Sequence, residues 1–169
     1  TGIAWAFTRS AFILAVSALD IDEMSGGRFR LGLGAGVKRL NETWHDVEYG
    51  KPAPHLRETI EATRQIMEQA SSGQPIRFEG EYVDIDIKGW IRPHKAARER
   101  VPIYTAAMQE GMCRMAGDVA DGLIGDVKAC NNAFNIDTVR TTLRCPGGTD
   151  AGDNCLSDAQ IAAHIEARP

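Results

Sequence analysis

The chain has 169 residues, a length typical of one globular domain and short for two. Of these residues, 43% are hydrophobic and 25% are charged, which are ordinary values for a globular protein. Its net charge of −4 offers no broad basic surface, and its apolar runs are too short to cross a bilayer, so neither nucleic-acid nor membrane partners are expected. No signal peptide is recognisable, which predicts a cytoplasmic protein. Because no Met begins the chain, we expect it to start inside a longer protein or to have been trimmed.

The first part of the chain alternates between patterns typical of strands and of helices. Residues 1–7 form a short apolar run typical of a buried strand, and 11–24 have apolar residues at helical spacing that end at a Ser-Gly-Gly stop. A second strand is predicted at 29–34, running into the glycine corner Gly34-Ala35-Gly36. The polar and aromatic stretch 37–54 is predicted to be a loop, and 55–70 an amphipathic helix.

The pattern continues through a hairpin and a further strand–helix–strand unit. Residues 78–87 alternate with period two around a glycine-containing turn, which predicts a hairpin. A strand at 101–107, a helix at 109–119 and a strand beginning at Leu123 follow. This order indicates right-handed βαβ units and a parallel sheet, which fits either a doubly wound sheet or a TIM barrel. Since a complete barrel needs roughly 250 residues, we predict an α/β fold that is a partial TIM (β/α)8 barrel with about half of the strands.

The composition changes near Gly125, where we predict a boundary between a partial barrel over 1–125 and an irregular tail over 126–169. The tail is rich in Asn, Asp, Gly and Thr, and a short helix is predicted at 157–167. Its three cysteines are typical of an exported, disulfide-using protein, although whether they pair stays open. Their spacings match no zinc signature, so no metal is expected. The tail cysteines are Cys130, Cys145 and Cys155.

The most specific motif is the block at 18–36, which reads ALDIDEMSGGRFRLGLGAG. It resembles the segment before and within the fourth barrel strand of the luciferase-like monooxygenase family. The Thr1-Gly2-Ile3 run and the segments PIYTAA and AGDVADG, within 102–122, are similar to other strand units of that family. The resemblance covers about 1–125 and implies hydride transfer between a bound coenzyme F420 or FMN and a small organic substrate.

The resemblance also implies where the cofactor binds. Glycines at a strand exit let a planar ring approach the backbone, although a tight strand exit alone would also explain them. Gly2-Ile3 matches the position of a cis non-prolyl peptide behind the ring, with a plain buried strand as the alternative. The start of the helix after the 101–107 strand is an anion site in the family, with ordinary capping as the alternative. The cofactor-binding residues predicted in this way are Gly2, Ile3, Gly34, Ala35, Gly36, Asn41, Met108, Gln109, Glu110 and Gly111.

The loop after the glycine corner carries the candidate catalytic residues. The Asn41-Glu42 pair is similar to one in deazaflavin-dependent relatives and favours F420 over FMN. Glu42 or His45 could act as an acid or base, with a surface loop of no role as the alternative. Three aromatic residues have two possible interpretations: they line an apolar substrate pocket, or they pack in the core. These are Trp5, Trp44 and Tyr49.

Two charge clusters have simpler interpretations. The carboxylates Asp20, Asp22 and Glu23 are expected to pair with Arg28 or Arg30 at the end of the first helix. The basic residues between 92 and 100 are typical of a solvated loop.

Two alternatives to an active enzyme remain. The first is an inactive fragment or a chimera without a complete active site, since barrel strands expected before and after these residues are missing and a cofactor pocket needs loops from several strands. The second is a binding module, which rests on the tail alone: the tail resembles a lid segment of tannase and feruloyl-esterase proteins, but without a G-x-S-x-G elbow it implies no hydrolase activity. A homodimer could also complete the barrel.

Overall fold

The computed structural model describes residues 2–124, apart from the side chain of Glu110. The predicted tail, its helix at 157–167 and its three cysteines lie outside the described residues. The elements in chain order are β1 (Ala4–Trp5), α1 (Ala11–Met24), β2 (Leu31–Gly34), α2 (Lys38–His45), α3 (Pro52–Gln69), β3 (Ile76–Glu79), β4 (Asp84–Ile87), β5 (Ile103–Ala106), α4 (Glu110–Val119) and β6 (Gly122–Ile124).

Four parallel strands form the main sheet in the order β1-β2-β5-β6, so strands that are linked by a helix are also neighbours. Helix α1 packs against α3, and α3 packs against α4, which places the connecting helices on one face of the sheet. A doubly wound sheet reverses its strand order and carries helices on both faces. The described residues therefore form an open segment of the barrel type, in agreement with the predicted α/β fold; the barrel is not closed within them.

The hydrophobic core lies between this sheet and the helices. Leu31 and Leu33 of β2 lie beside Ile103 of β5 and pack with apolar residues of α1 and α3, and Leu33 and Ile103 are fully buried. The opposite side carries small residues next to an aromatic one. Gly122 lies in register with Tyr104, and a Cβ at Gly122 would approach the Tyr104 ring to 2.8 Å. Glycine there makes room for the ring.

The helix and hairpin predictions are confirmed at several positions. Ser10 caps α1 by accepting a hydrogen bond from the Ile13 N–H, and the helix ends before Gly26 and Gly27, whose φ angles are +65° and +79°. Strands β3 and β4 form the expected antiparallel hairpin. Helix α3 begins at Pro52, earlier than predicted, because proline is tolerated in the first turn of a helix.

Two local predictions are wrong. The segment predicted as a loop contains the helix α2, because Leu40 and Trp44 supply apolar side chains one helical turn apart in an otherwise polar sequence. None of the described peptide bonds is cis, so the cis peptide implied for Gly2–Ile3 is absent. A trans bond is the lower-energy form for any residue that does not precede proline.

The expected partners of the acidic cluster are also wrong. Arg92, only 7% exposed, pairs with Asp20 and Glu23 at 2.9 and 2.6 Å, and Arg98 pairs with Asp22 at 2.6 Å. Two of the four Lys and Arg residues between 92 and 100, Arg92 and Arg98, therefore bind the end of α1 rather than solvent, whereas Lys95 and Arg100 are exposed as predicted. None of the helices within the described residues is long and apolar enough to span a membrane.

Candidate functional site

The candidate site lies where β1, β2 and β5 end, at the edge of the sheet where active sites of this kind of fold collect. Gly34, the last residue of β2, is the point at which the three strands meet. A Cβ on Gly34 would lie 2.8 Å from Ile3 Cγ2 and 3.5 Å from the Ala106 Cβ. Any larger residue at this position would displace Ile3.

The glycine corner that follows β2 is held by a buried amide. The Asn41 side chain is fully buried, and its Nδ2 donates hydrogen bonds to the carbonyl oxygens of Ala35 and Val37 at 3.0 and 3.1 Å. Gly36 has a φ of +68°, and a Cβ there would lie 3.0 Å from Asn41 Nδ2 and 3.5 Å from the Trp5 ring. The corner thus requires glycine, and Asn41 shapes it from inside the protein.

Helix α2 places two of its side chains against the end of β1. Trp44 stacks on Trp5 with ring centroids 6.2 Å apart, and His45 meets the Trp5 ring edge-on at 5.4 Å. These rings surround an open pocket of about 330 Å³. Its lining residues are Ile3, Ala4, Trp5, Thr8, Arg9, Trp44 and His45.

The structure separates the residues that the sequence grouped as catalytic or pocket-lining. His45 faces the pocket, whereas the exposed Glu42 lies outside it and pairs with Lys38 at 3.8 Å. Trp5 and Trp44 line the pocket, but Tyr49 packs edge-on against Phe7 and donates its hydroxyl to the Gly36 carbonyl at 3.1 Å. Burial raises the pKa of the Tyr49 hydroxyl above its ordinary value.

The second predicted cofactor segment follows β5 and begins α4. Met108 is 63% exposed, and Gln109 stands at the N-cap in an extended conformation without a capping hydrogen bond from its side chain. A Cβ on Gly111 would meet nothing within 4 Å. The first turn of α4 is therefore open on the side of Gly111 and has no side-chain cap from Gln109.

Two other titratable residues, His55 and Asp121, have structural roles. His55 is stacked between Phe7 and Tyr82, at 3.7 and 4.6 Å. Asp121 binds Arg64 and Arg100 at 2.8 and 2.7 Å. Within residues 2–124, no group of His, Cys, Asp and Glu side chains is arranged to hold a metal ion.

Sequence reasoning missed Thr8 and Arg9 as pocket residues. The signal that could have revealed them is their position directly after a parallel strand, since loops there form the rim of the site.

The curated proteins that are similar in sequence to this chain include two from different organisms. An uncharacterized protein of Mycobacterium tuberculosis is 35% identical over 126 residues, which make up 74% of this chain and 37% of that protein. The 5,10-methylenetetrahydromethanopterin reductase of Methanolobus tindarius is 32% identical over 124 residues, which make up 73% of this chain and 35% of that enzyme. The chain thus spans little more than a third of the length of these relatives.

The solved structures that share the fold include two enzymes. The coenzyme F420-dependent tetrahydromethanopterin reductase from Methanopyrus kandleri has a TM-score of 0.65 at 24% identity and covers 83% of this chain and 43% of its own. Riboflavin lyase, solved with a modified FMN and riboflavin, has a TM-score of 0.63 at 14% identity and covers 83% of this chain and 36% of its own. At these identities the likeness concerns the fold alone.

A family model described as luciferase-like monooxygenase matches residues 1–141. The match runs past Gly125, where the sequence predicts a domain boundary, and both that boundary and the tannase-like tail stay predictions. Because the match covers most of the 169 residues, the chain belongs to the luciferase-like monooxygenase family.

Proposed function

We propose that the chain forms the cofactor-binding part of an oxidoreductase that transfers a hydride between coenzyme F420 and a small organic substrate, with FMN as the alternative cofactor. The observation that carries this proposal is that the predicted cofactor segments follow neighbouring strands. The glycine corner follows β2, and the segment from Met108 to Gly111 follows β5, which pairs with β2 in parallel. Ile3, just before β1, lies against Gly34 from the other side of β2.

The residues present fit a flat cofactor that carries a phosphate. Gly34 and Gly36 have no Cβ, so a planar ring can approach the backbone at the end of β2. The first backbone N–H groups of α4 have no partner within their own helix, and the positive end of the helix dipole favours an anion there. Gly111 leaves the space beside that first turn open.

Each part of the site then has a task. When bound, the cofactor supplies the atom that gives or accepts the hydride. The start of α4 holds the phosphate, and the glycine corner positions the ring. His45 holds or releases a proton, a role we assign to it rather than to Glu42 because only His45 lines the pocket. Trp44 and Trp5 supply apolar ring surface at the pocket.

The choice between the two cofactors rests on the relatives rather than on Asn41. One structural neighbour is named for F420 and another was solved with a modified FMN. Asn41 donates its side-chain hydrogen bonds to the chain's own carbonyl groups and is fully buried. Both hydrogen bonds of Asn41 Nδ2 thus shape the corner, and the buried Oδ1, which has no partner within the described residues, does not distinguish F420 from FMN.

The proposal is tested by titrating the purified chain with F420 and with FMN and following cofactor fluorescence. Gly111→Asp places a negative charge beside the proposed phosphate site, and Gly111→Asn is its neutral control of nearly the same size. An acidic residue in the first turn stabilises a helix, so the Asp variant is expected to fold at least as well as the Asn variant.

We expect binding of one cofactor in the micromolar range and a dissociation constant about tenfold higher in Gly111→Asp than in Gly111→Asn, equivalent to about 1.4 kcal/mol. Failure of both cofactors to bind a chain that unfolds cooperatively would refute the proposal. It would favour the alternative that this chain is an inactive fragment or chimera.

A further inference from the structure

The pocket beside Trp5 contains a positive charge without a partner. Arg9 lines the pocket, is exposed, and has no hydrogen bond or ion pair within the described part of the chain. Several other arginines here are neutralised: Arg64, Arg92 and Arg98 all bind carboxylates. An unpaired guanidinium on a pocket wall is a ready site for a carboxylate, which it can bind through two parallel hydrogen bonds.

The surroundings of Arg9 add to its positive potential. The pocket lining contains no Asp or Glu. Helix α1 begins two residues after Arg9 and has no acidic residue in its first turn, so the positive end of its dipole is not offset there. An anion in this pocket meets favourable charges and no carboxylate among the lining residues.

Another part of the pocket lining is aromatic and exposed. The Trp44 ring is inclined by only 26° to the Trp5 ring, yet Trp44 remains 67% exposed. A large apolar ring exposed in this way is available for a planar ligand, which prefers an offset stacked arrangement on an aromatic face. The volume of about 330 Å³ lies at the lower end of the roughly 300–1,000 Å³ typical of ligand pockets and suits one or two rings.

We propose that this pocket binds a planar aromatic or heteroaromatic carboxylate, with the ring packed on Trp44 and the carboxylate on Arg9, and that such an acid is the substrate of the oxidoreductase proposed above. The substrate assignment rests on that proposed function. The binding itself does not, and it is measured without any cofactor.

The test compares quinoline-2-carboxylate with the neutral quinoline-2-carboxamide by isothermal titration calorimetry on the full chain. The variants are Arg9→Gln and Trp44→Ala, and two exposed residues outside the pocket provide matched controls, Lys95→Gln for charge and Met24→Ala for apolar size. All four positions are on the surface, so the substitutions are expected to leave the fold intact.

We expect the carboxylate to bind at least tenfold more tightly than the carboxamide. Arg9→Gln weakens binding of the carboxylate about tenfold and binding of the carboxamide less than about twofold, because only the charged ligand loses its partner. Trp44→Ala weakens binding of both ligands, and neither control variant changes either affinity. Equal binding of the two ligands, or equal weakening of both by Arg9→Gln, would overturn the proposal.

A second arm separates the substrate from the cofactor as the source of the anion. Both F420 and FMN carry a phosphate that Arg9 could bind instead. If Arg9→Gln weakens cofactor binding about tenfold and saturating cofactor displaces the acid, Arg9 serves the cofactor and the inference is wrong. If the acid binds through Arg9 while neither cofactor binds, the proposed oxidoreductase fails and the binding site stands. If a cofactor binds and the acid does not, only the inference fails.

Discussion

The ion pair between Asp22 and Arg98 joins the end of α1 to the segment before β5, and removing its carboxylate is the most direct test of this connection. Asp22 is 1% exposed. Its Oδ1 accepts hydrogen bonds from Arg98 Nη2 at 2.6 Å and from the Phe29 N–H at 3.1 Å, and its Oδ2 accepts one from Arg98 Nε at 2.9 Å. Asp22→Ala deletes all three bonds.

The magnitude follows from what the substitution leaves behind. Breaking a buried ion pair by removing one partner costs about 3–5 kcal/mol, because the other charge stays buried and unpaired. The Arg98 side chain is 31% exposed and keeps its bond to the Phe29 carbonyl, so water and that carbonyl recover part of the loss. We expect Asp22→Ala to lower the free energy of unfolding by about 2–4 kcal/mol.

Urea denaturation followed by circular dichroism measures this change. A double-mutant cycle with Arg98→Ala isolates the pair: because the two residues are in direct contact, we expect a coupling free energy of about 1–3 kcal/mol. The exposed pair of Lys38 and Glu42 is the control, and its cycle is expected to give less than about 1 kcal/mol. A loss below about 1 kcal/mol in Asp22→Ala, or additive effects in the cycle, would show that this connection is not important to the fold.

Two further substitutions test contacts of the hairpin turn. Gly50→Ala puts a Cβ in contact with Tyr82 at a residue with φ +59°, and a loss of about 1–3 kcal/mol is expected in thermal unfolding; an unchanged melting temperature would contradict this. Burial alone would raise the pKa of Glu58. Its carboxylate accepts hydrogen bonds from the backbone N–H groups of residues 81–83, and these bonds outweigh the effect of burial, so the pKa is lowered. Ionised Glu58 therefore stabilises the fold above the ordinary pKa of 4.5, and this contribution is lost as the pH falls through the lower folded value. In Glu58→Gln the stability at pH 7 is expected to fall and the loss of stability on acidification to become smaller; parallel pH profiles would refute this.

The order of the strands and of every helix except α2 was predictable, because each of those elements has a local signal. The end of α1 is encoded in Ser25, Gly26 and Gly27, and the β3–β4 hairpin in period-two alternation. The partners of the acidic cluster were not predictable. Arg92 is 69 residues from Glu23 along the chain, and only the path of the segment after the hairpin brings the two together. A nearby arginine such as Arg28, which instead donates to the Ser25 carbonyl, is the natural guess from sequence.

Helix α2 explains why the sequence alone did not distinguish Glu42 from His45 as the candidate acid or base. In a loop, Glu42 and His45 would both follow the glycine corner, and nothing in the sequence would show which of them faces the pocket. In a helix, Asn41, Trp44 and His45 have the i, i+3, i+4 spacing of one face, and Glu42 points away from it. On that face, the Asn41 side chain donates hydrogen bonds to carbonyl groups of the corner, and Trp44 and His45 line the pocket. The corner proposed to position the cofactor and the pocket proposed to bind the substrate are therefore held together by one short helix, so the position of His45 relative to a bound ring depends on the buried amide of Asn41.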